Sequence, residues 1–295
     1  MNRAAGSAAG AALLLLVLAS PAAAQGRGRG VGRGRNAPAP TIPGTGIRQF
    51  GVWLDDATLS PAGQGWATFS VGYTRAPFGR QWDAPSVDTG IGLRQRIQIA
   101  LSAPLSRVDY TDGTTTRSVG DAYGAVKVAL FDPTEEGRSF GLAIVPVVEL
   151  LSKDSVQEGA GRVFWAIPVA VEKRFEKMRT YGTVGYFSRG SAFAAGAVEV
   201  PLNEKFTGTA TLSLARSVKD DPLSDAQDLA RTRSDLSAGA VYFFSPKATF
   251  FASVGRTLSR IDANASSLSV SAGVSFGFQH RIGGTEQPGK TPHRP

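Results

Sequence analysis

Apolar residues recur at every second position along most of this chain, and that period more than anything else limits what it can fold into. The clearest run is Val87 to Leu101. Val87, Ile91, Leu93, Ile97, Ile99 and Leu101 take the odd positions, while Asp88, Arg94, Arg96, Gln98 and Ser102 take the even ones. Side chains of a strand point alternately to its two faces, so this is a strand with one apolar and one polar face. Fifteen residues is long for a soluble sheet, where about five or six is usual, but it suits a tilted strand crossing a bilayer and continuing beyond it. The same alternation recurs at 162–175, 204–216 and 267–278, and more weakly at 66–75, 121–131, 139–151, 179–189, 192–200, 234–244 and 248–258. The segment 48–57 is the poorest match.

Strands of about ten residues with alternating hydrophobicity, separated by turns, are the pattern of a transmembrane barrel. Two features favour a barrel over a soluble sandwich. The polar face is rich in Gly, Ala, Ser and Thr, as a lumen of limited width requires. Aromatics gather near the strand ends, as in interfacial girdles: Trp66, Tyr73, Phe131, Phe140, Phe175, Tyr181, Tyr242, Phe243, Phe244, Phe276 and Phe278. No stretch after residue 25 reaches the roughly 18 apolar residues of a membrane helix. The expected fold is therefore all-β, an antiparallel transmembrane barrel over residues 47–279.

The N-terminus supplies the compartment. Arg3, an apolar core over Ala11–Ala19, Pro21 and the small residues Ala22-Ala23-Ala24 have the order of a secretory signal peptide over residues 1–24, with cleavage near Ala24 after Sec-type export. Residues 25–46, rich in Gly, Arg and Pro, read as a disordered arm. The Arg-Gly run would suggest RNA binding in a cytoplasmic protein. Behind an export signal it does not, and no nucleic-acid partner is expected. Its arginines also account for part of the net charge of +8. The localisation that follows is the outer membrane of a Gram-negative cell, with outer-membrane lipid as surroundings and residues 280–295 as a disordered periplasmic tail.

Connection lengths set the strand count, because bacterial barrels alternate short periplasmic turns with longer outer loops. The long gaps 103–120, 152–161, 217–233 and 259–266 fall on one side; the short ones near 132–138, 176–179, 201–204 and 245–247 fall on the other. Eleven strands begin at residue 65 or later. An even count needs 48–57 as another, giving about twelve strands, with ten the nearest alternative.

The residues exclude much chemistry. There is no cysteine, and the two histidines, His280 and His293, lie beyond the last strand. Histidine-based proton transfer inside the barrel is thus excluded by composition. The adjacent pairs Asp55-Asp56, Glu135-Glu136 and Asp220-Asp221 read as solvated charges, and no metal spacing or phosphate-cradling loop occurs in context. No catalytic residue, metal or cofactor is expected, and the chain is not read as an enzyme. If period two holds, Asp88, Arg94, Arg96, Gln98, Lys127, Glu149, Glu172, Arg174 and Glu199 face the lumen, where charges set solute preference or pair with one another.

The last strand carries the sharpest motif. Ser271, Gly273, Phe276 and Phe278 match the polar-x-Gly-x-x-aromatic-x-aromatic pattern and resemble the signal that the barrel-assembly machinery reads. Over most of residues 50–278 the chain also resembles the outer-membrane transporter-like family of the meta-pathway of phenol degradation. The likeness rests on an early long strand running into Ala103-Pro104-Leu105, on Gly120-Asp121 opening the strand Ala122 to Phe131, and on the evenly spaced strands that follow. It implies a barrel passing small, often hydrophobic or aromatic, solutes. The alternative is a non-conducting structural or adhesive barrel that binds partners through outer loops, above all 104–120 and 217–233.

Overall fold

The computed structural model describes residues 52–134, 138–152, 161–220, 225, 228–263 and 265–279. The segments read from sequence as an export signal (1–24), a Gly/Arg-rich arm (25–46) and a C-terminal tail (280–295) lie outside them. Fifteen strands form one antiparallel sheet: β1 (Gln64–Ala76), β2 (Gly79–Arg94), β3 (Ile97–Tyr110), β4 (Thr115–Val119), β5 (Ala122–Phe131), β6 (Phe140–Ile144), β7 (Val147–Leu150), β8 (Val163–Ala166), β9 (Val169–Arg174), β10 (Arg179–Phe187), β11 (Ser191–Pro201), β12 (Phe206–Ser217), β13 (Thr232–Ser245), β14 (Ala248–Thr257) and β15 (Leu268–Gln279). Strand β1 pairs with β15 from Gln64↔Gln279 to Arg75↔Leu268, which closes the sheet on itself. Strands β4 and β5 run in line, as do β6 with β7 and β8 with β9, so the closed wall has twelve staves. The two breaks at Pro146 and Pro168 follow from a residue that has no N–H to give the ladder.

Twelve is the expected number, reached differently. Residues 52–59 are not a strand. They are unpaired chain lying buried inside the barrel. The single strand read over 87–101 is two strands, β2 and β3, joined at Gln95-Arg96. The two differences cancel in the count.

The turn escapes notice for a geometric reason. Arg94 pairs with Ile97 across a two-residue turn, which alone would exchange the faces. The register then shifts between Gly92 and Arg94, so that Gly92 pairs with Gln98 and Ile91 with Ile99. This bulge restores the alternation, and the apolar residues stay on odd positions straight through the hairpin. The opposite happens at Ala84-Pro85, where the register shifts between Asp83 and Ser86. There the inward positions change from odd to even, and residues 79–86, which lie between the expected strands 66–75 and 87–101, form the first half of β2. The segment 103–120 is likewise mostly wall: β3 runs to Tyr110, and only residues 111–114 join it to β4. That removes one of the two outer loops on which an adhesive role would depend.

One end of the barrel carries the long connections 151–162, 218–231 and 258–267; the other carries the short turns at 95–96, 175–178, 202–205 and 246–247. The outer surface is apolar, with Phe69, Val71, Leu101, Val148, Trp165, Val184, Leu212 and Val254 among its exposed residues. Aromatics flank it at the short-turn end (Phe206, Tyr242, Phe244, Phe276, Phe278) and at the long-connection end (Tyr73 with Trp82, Trp165 with Tyr186). Trp66 and Tyr181, read from sequence as girdle residues, instead line the interior.

Leu101 is 61 % exposed on the lipid-facing surface. Replacing it with Arg is expected to cost about 2–4 kcal/mol of barrel stability near the bilayer midplane, read by urea-induced unfolding from lipid vesicles. A change below about 0.5 kcal/mol would place Leu101 away from lipid.

Candidate functional site

Two kinds of inward face divide the lumen. From β5 to β11 seven of the inward positions are alanine: Ala125, Ala129, Ala143, Ala166, Ala170, Ala195 and Ala197. Against this shallow wall lie Val52, Trp53, Leu54 and Ala57, which with those alanines other than Ala129, and with Val145, Val147, Phe187, Phe193 and Ala215, form the hydrophobic core of the described residues. Small side chains on the wall are what leave room for a second layer of chain. The segment enters at the short-turn end. Gly63 N–H donates to Gly92 O (2.8 Å) and Ser60 N–H to Gln98 Oε1 (2.8 Å). A Cβ on Gly92 would collide with the carbonyls of Ser60 and Pro61, so the wall must be glycine where the chain leaves it.

Charge holds the segment in register. Lys127 Nζ donates to Asp55 Oδ1 (2.8 Å), Asp56 O (2.9 Å), Asp56 Oδ1 (3.1 Å) and Thr58 O (3.1 Å). Arg179 reaches Asp56 Oδ2 (3.2 Å), Glu172 Oε1 (3.5 Å) and Glu199 Oε2 (2.6 Å), and its guanidinium lies over the Tyr181 ring. Thr58 donates through N–H (3.2 Å) and Oγ1 (2.7 Å) to Glu172 Oε2, and Arg174 donates to Thr58 Oγ1 (2.7 Å) and Glu172 Oε1 (2.8 Å). Thr183 Oγ1 donates to Trp53 O, and Tyr181 OH to Glu199 Oε1 (3.0 Å). Ions taken from water need compensation of this order: several opposite charges and hydrogen bonds, not a single partner.

The opposite face is different. Thr68 and Ser70 of β1, Thr209 and Thr211 of β12, Ser237 of β13, Ser253 of β14, and Ser269, Ser271 and Ser275 of β15 line a cavity of 290 Å³ between the wall and the inner segment. Trp53, Trp66, Tyr123, Tyr181 and Phe251 add aromatic surface, and Asp83, Asp88, Asp121, Arg233, Asp235 and Arg256 add charge. Arg233 pairs with Asp235 (2.9 Å).

The residues singled out from the sequence fall into three groups. Lys127, Glu172, Arg174 and Glu199, with Gln98, meet around the inner segment. Glu149 is buried elsewhere in the lumen, 3.2 Å from Arg189, and Asp88 lines the cavity. Arg94 and Arg96 depart from the expectation. They are exposed at the β2–β3 turn, Arg96 donating to Leu130 O (3.4 Å), because the alternation that placed them inside ends in that turn. Asp55 and Asp56, read as solvated, are 3 % and 2 % exposed. Sequence reasoning misses them, together with Thr58, Arg179 and Thr183. The available signal is an acidic pair set directly after the apolar run Val52-Trp53-Leu54. Ser271 faces the lumen, while Phe276 and Phe278 are exposed on the outer surface. Glu135, Glu136, Asp221, His280 and His293 lie outside the described residues.

A closed antiparallel barrel with an apolar outer belt is the architecture of an outer-membrane β-barrel protein. The NanC porin is similar in fold at 12 % identity, with a TM-score of 0.53, over 71 % of this chain and 98 % of that one. An outer membrane channel from Pseudomonas putida F1 is similar in fold at 14 % identity, with a TM-score of 0.58, over 77 % of this chain and the whole of that one. No protein-family model matches the sequence. No curated protein matches it either. The solved structures bear out, at the level of fold, the resemblance to an outer-membrane transporter-like barrel family.

Val52 is buried in the core and the chain has no native thiol, so a Val52→Cys variant reports on the inner segment. Removing one member of a buried ion cluster costs about 3–5 kcal/mol. With Lys127 intact, the introduced thiol is expected to stay unlabelled by a bulky water-soluble maleimide. Adding Lys127→Met is expected to make it reactive. Equal labelling in both backgrounds would mean that Lys127 does not hold the segment.

Proposed function

We propose that the protein is a passive channel through which small solutes cross the outer membrane, moving along the hydroxyl-lined side of the lumen past the inner segment. The observation that carries this reading is the cavity between the Ser/Thr wall of β1 and β12–β15 and residues 53–60. Hydroxyls exchange hydrogen bonds with a passing solute without holding it as a charge would, and conduction needs sites that bind weakly. At 290 Å³ the space is near the lower end of the roughly 300–1,000 Å³ that holds small organic ligands. Trp66, Phe251 and Tyr123 on its surface suit solutes with an apolar or aromatic part.

The placement follows the same logic. The long connections face outward and the short turns face the periplasm, after export and cleavage near Ala24. The barrel-assembly machinery recognises β15 through Ser271, Gly273, Phe276 and Phe278. The outward display of the two phenylalanines supports this, since both rings are open to a partner on the membrane side. No step here uses an acid, a base or a nucleophile, and the protein is read as a channel without catalysis.

Purified protein in planar bilayers is expected to give discrete conductance steps. Deleting residues 52–60 is expected to raise the step by about twofold or more, since conductance grows with open cross-section. A bilayer that stays silent for both proteins would sink the channel reading. A step unchanged by the deletion would mean the current bypasses the inner segment.

A further inference from the structure

The register of the first four strands places four arginines together on the outside of the barrel. Arg75 of β1 is the direct partner of Arg80 of β2. Arg80 pairs onward with Asp109 of β3, and Asp109 with Thr115 of β4. One rung nearer the membrane, Tyr73 pairs with Trp82, Trp82 with Arg107, and Arg107 with Arg117. All four arginines are exposed. They stand on the same outward face as the Tyr73–Trp82 ring pair (4.7 Å) and as Val71, Phe69, Leu105 and Val119, which are 48–55 % exposed on the rungs below.

That arrangement is unfavourable on its own. Like charges directly opposite each other on neighbouring strands repel, and here it happens twice, at Arg75↔Arg80 and at Arg107↔Arg117. Asp109 is the one carboxylate among them, and it is already held by Arg107 Nε (2.9 Å) and Thr115 Oγ1 (2.8 Å). Among the described residues no carboxylate lies within 4.0 Å of the Arg75, Arg80 or Arg117 guanidinium. Asp112, at the tip of the β3–β4 hairpin, caps Thr114. The patch therefore carries three net positive charges, +4 from the arginines against −1 from Asp109. Neighbouring strands lie about 4.8 Å apart, so the four guanidiniums span an area that one or two phosphate groups can bridge. Guanidinium binds phosphate through paired N–H donors.

We propose that this patch is a binding site for the phosphorylated glycolipid of the outer leaflet. Its phosphates meet Arg75, Arg80, Arg107 and Arg117, its sugar ring lies at the level of Tyr73 and Trp82, and its acyl chains run down Val71, Phe69, Leu105 and Val119. Charge above and hydrocarbon below, in that order along the strands, match an amphiphile standing in a membrane and not a free anion. The site rests on the orientation given above, with the long-connection end outward, and not on conduction: a silent bilayer leaves it standing.

Native mass spectrometry of the detergent-solubilised full barrel tests it, with purified bis-phosphorylated lipid A as probe and dephosphorylated lipid A and phosphatidylglycerol as comparisons. The wild type is expected to retain lipid A over both comparisons. The variant R75Q/R80Q/R107Q/R117Q is expected to lose about tenfold or more of that affinity while keeping its heat-modifiable migration, the sign of a closed barrel. R94Q/R96Q, at exposed arginines of the other end, is expected to bind as the wild type. If the fourfold variant misfolds, R75Q and R80Q singly, which each relieve a like-charge pair, are expected to show the loss in part. Equal lipid A binding by wild type and folded variants would overturn the proposal. So would equal retention of phosphatidylglycerol, which would make the patch a general anion surface, or of dephosphorylated lipid A, which would leave the arginines without a role.

Discussion

Every other feature of this molecule depends on the need to satisfy backbone N–H and C=O groups where no water can reach them. In hydrocarbon a sheet has no tolerable edge. The pairing of β1 with β15 over nearly their full lengths removes the edge, and closure then fixes an inside and an outside for every residue in the wall. With the faces assigned, the outer one must be apolar and the inner one is free to vary. The division of the lumen into an alanine side and a hydroxyl side is a use of that freedom.

The inner segment shows what the freedom allows. A lumen ringed by twelve staves is wider than their inward side chains can fill, and this chain fills part of it with residues 52–60. Burial of Trp53, Leu54 and Val52 against alanine supplies affinity without direction. Direction comes from the ions. Lys127 reads two adjacent carboxylates and two carbonyls at once, and Arg179 joins Asp56 to Glu172 and Glu199. A slide of the segment by one residue would separate all of these pairs. The hydrophobic layer thus explains why the segment is inside, and the ion cluster explains why it sits at one height.

Most of the wall is legible in the sequence because the two solvents on its faces, lipid and lumen, impose period two directly. What escapes does so for reasons of parity. The bulge at Leu93 hides a turn by keeping Ile91 and Ile99 in phase. The bulge at Ala84-Pro85 hides a strand by putting Trp82 and Val87 out of phase although both face lipid. The site is less legible. Lys127, Glu172 and Glu199 can be found because the pattern makes them inward, but what they meet comes from outside the pattern. Asp55 and Asp56 belong to no strand, so no period marks them, and an acidic pair reads as solvated until something shows that it is enclosed. Arg179, the first residue of β10, lies at the edge of a turn, where alternation says little.

The outward arginines extend the same reasoning to the membrane. Inside this barrel Lys127, Arg174, Arg179, Arg189 and Arg233 are each partnered with a carboxylate, because an unpaired ion there is costly. On the outer face the rule differs with height. Along the rungs carrying Phe69, Val71, Leu105 and Val119 the outward positions hold no charge. On the next two rungs, four arginines stand with a single aspartate. A soluble surface would tolerate that excess through water and salt. At the edge of a lipid belt the nearest counterions are the headgroups, and they are fixed in a plane. Charge left unbalanced by the protein at those two rungs is then balanced by the membrane, which makes Arg75, Arg80, Arg107 and Arg117 as much a part of the barrel's vertical placement as the Tyr73–Trp82 pair on the lower of the two.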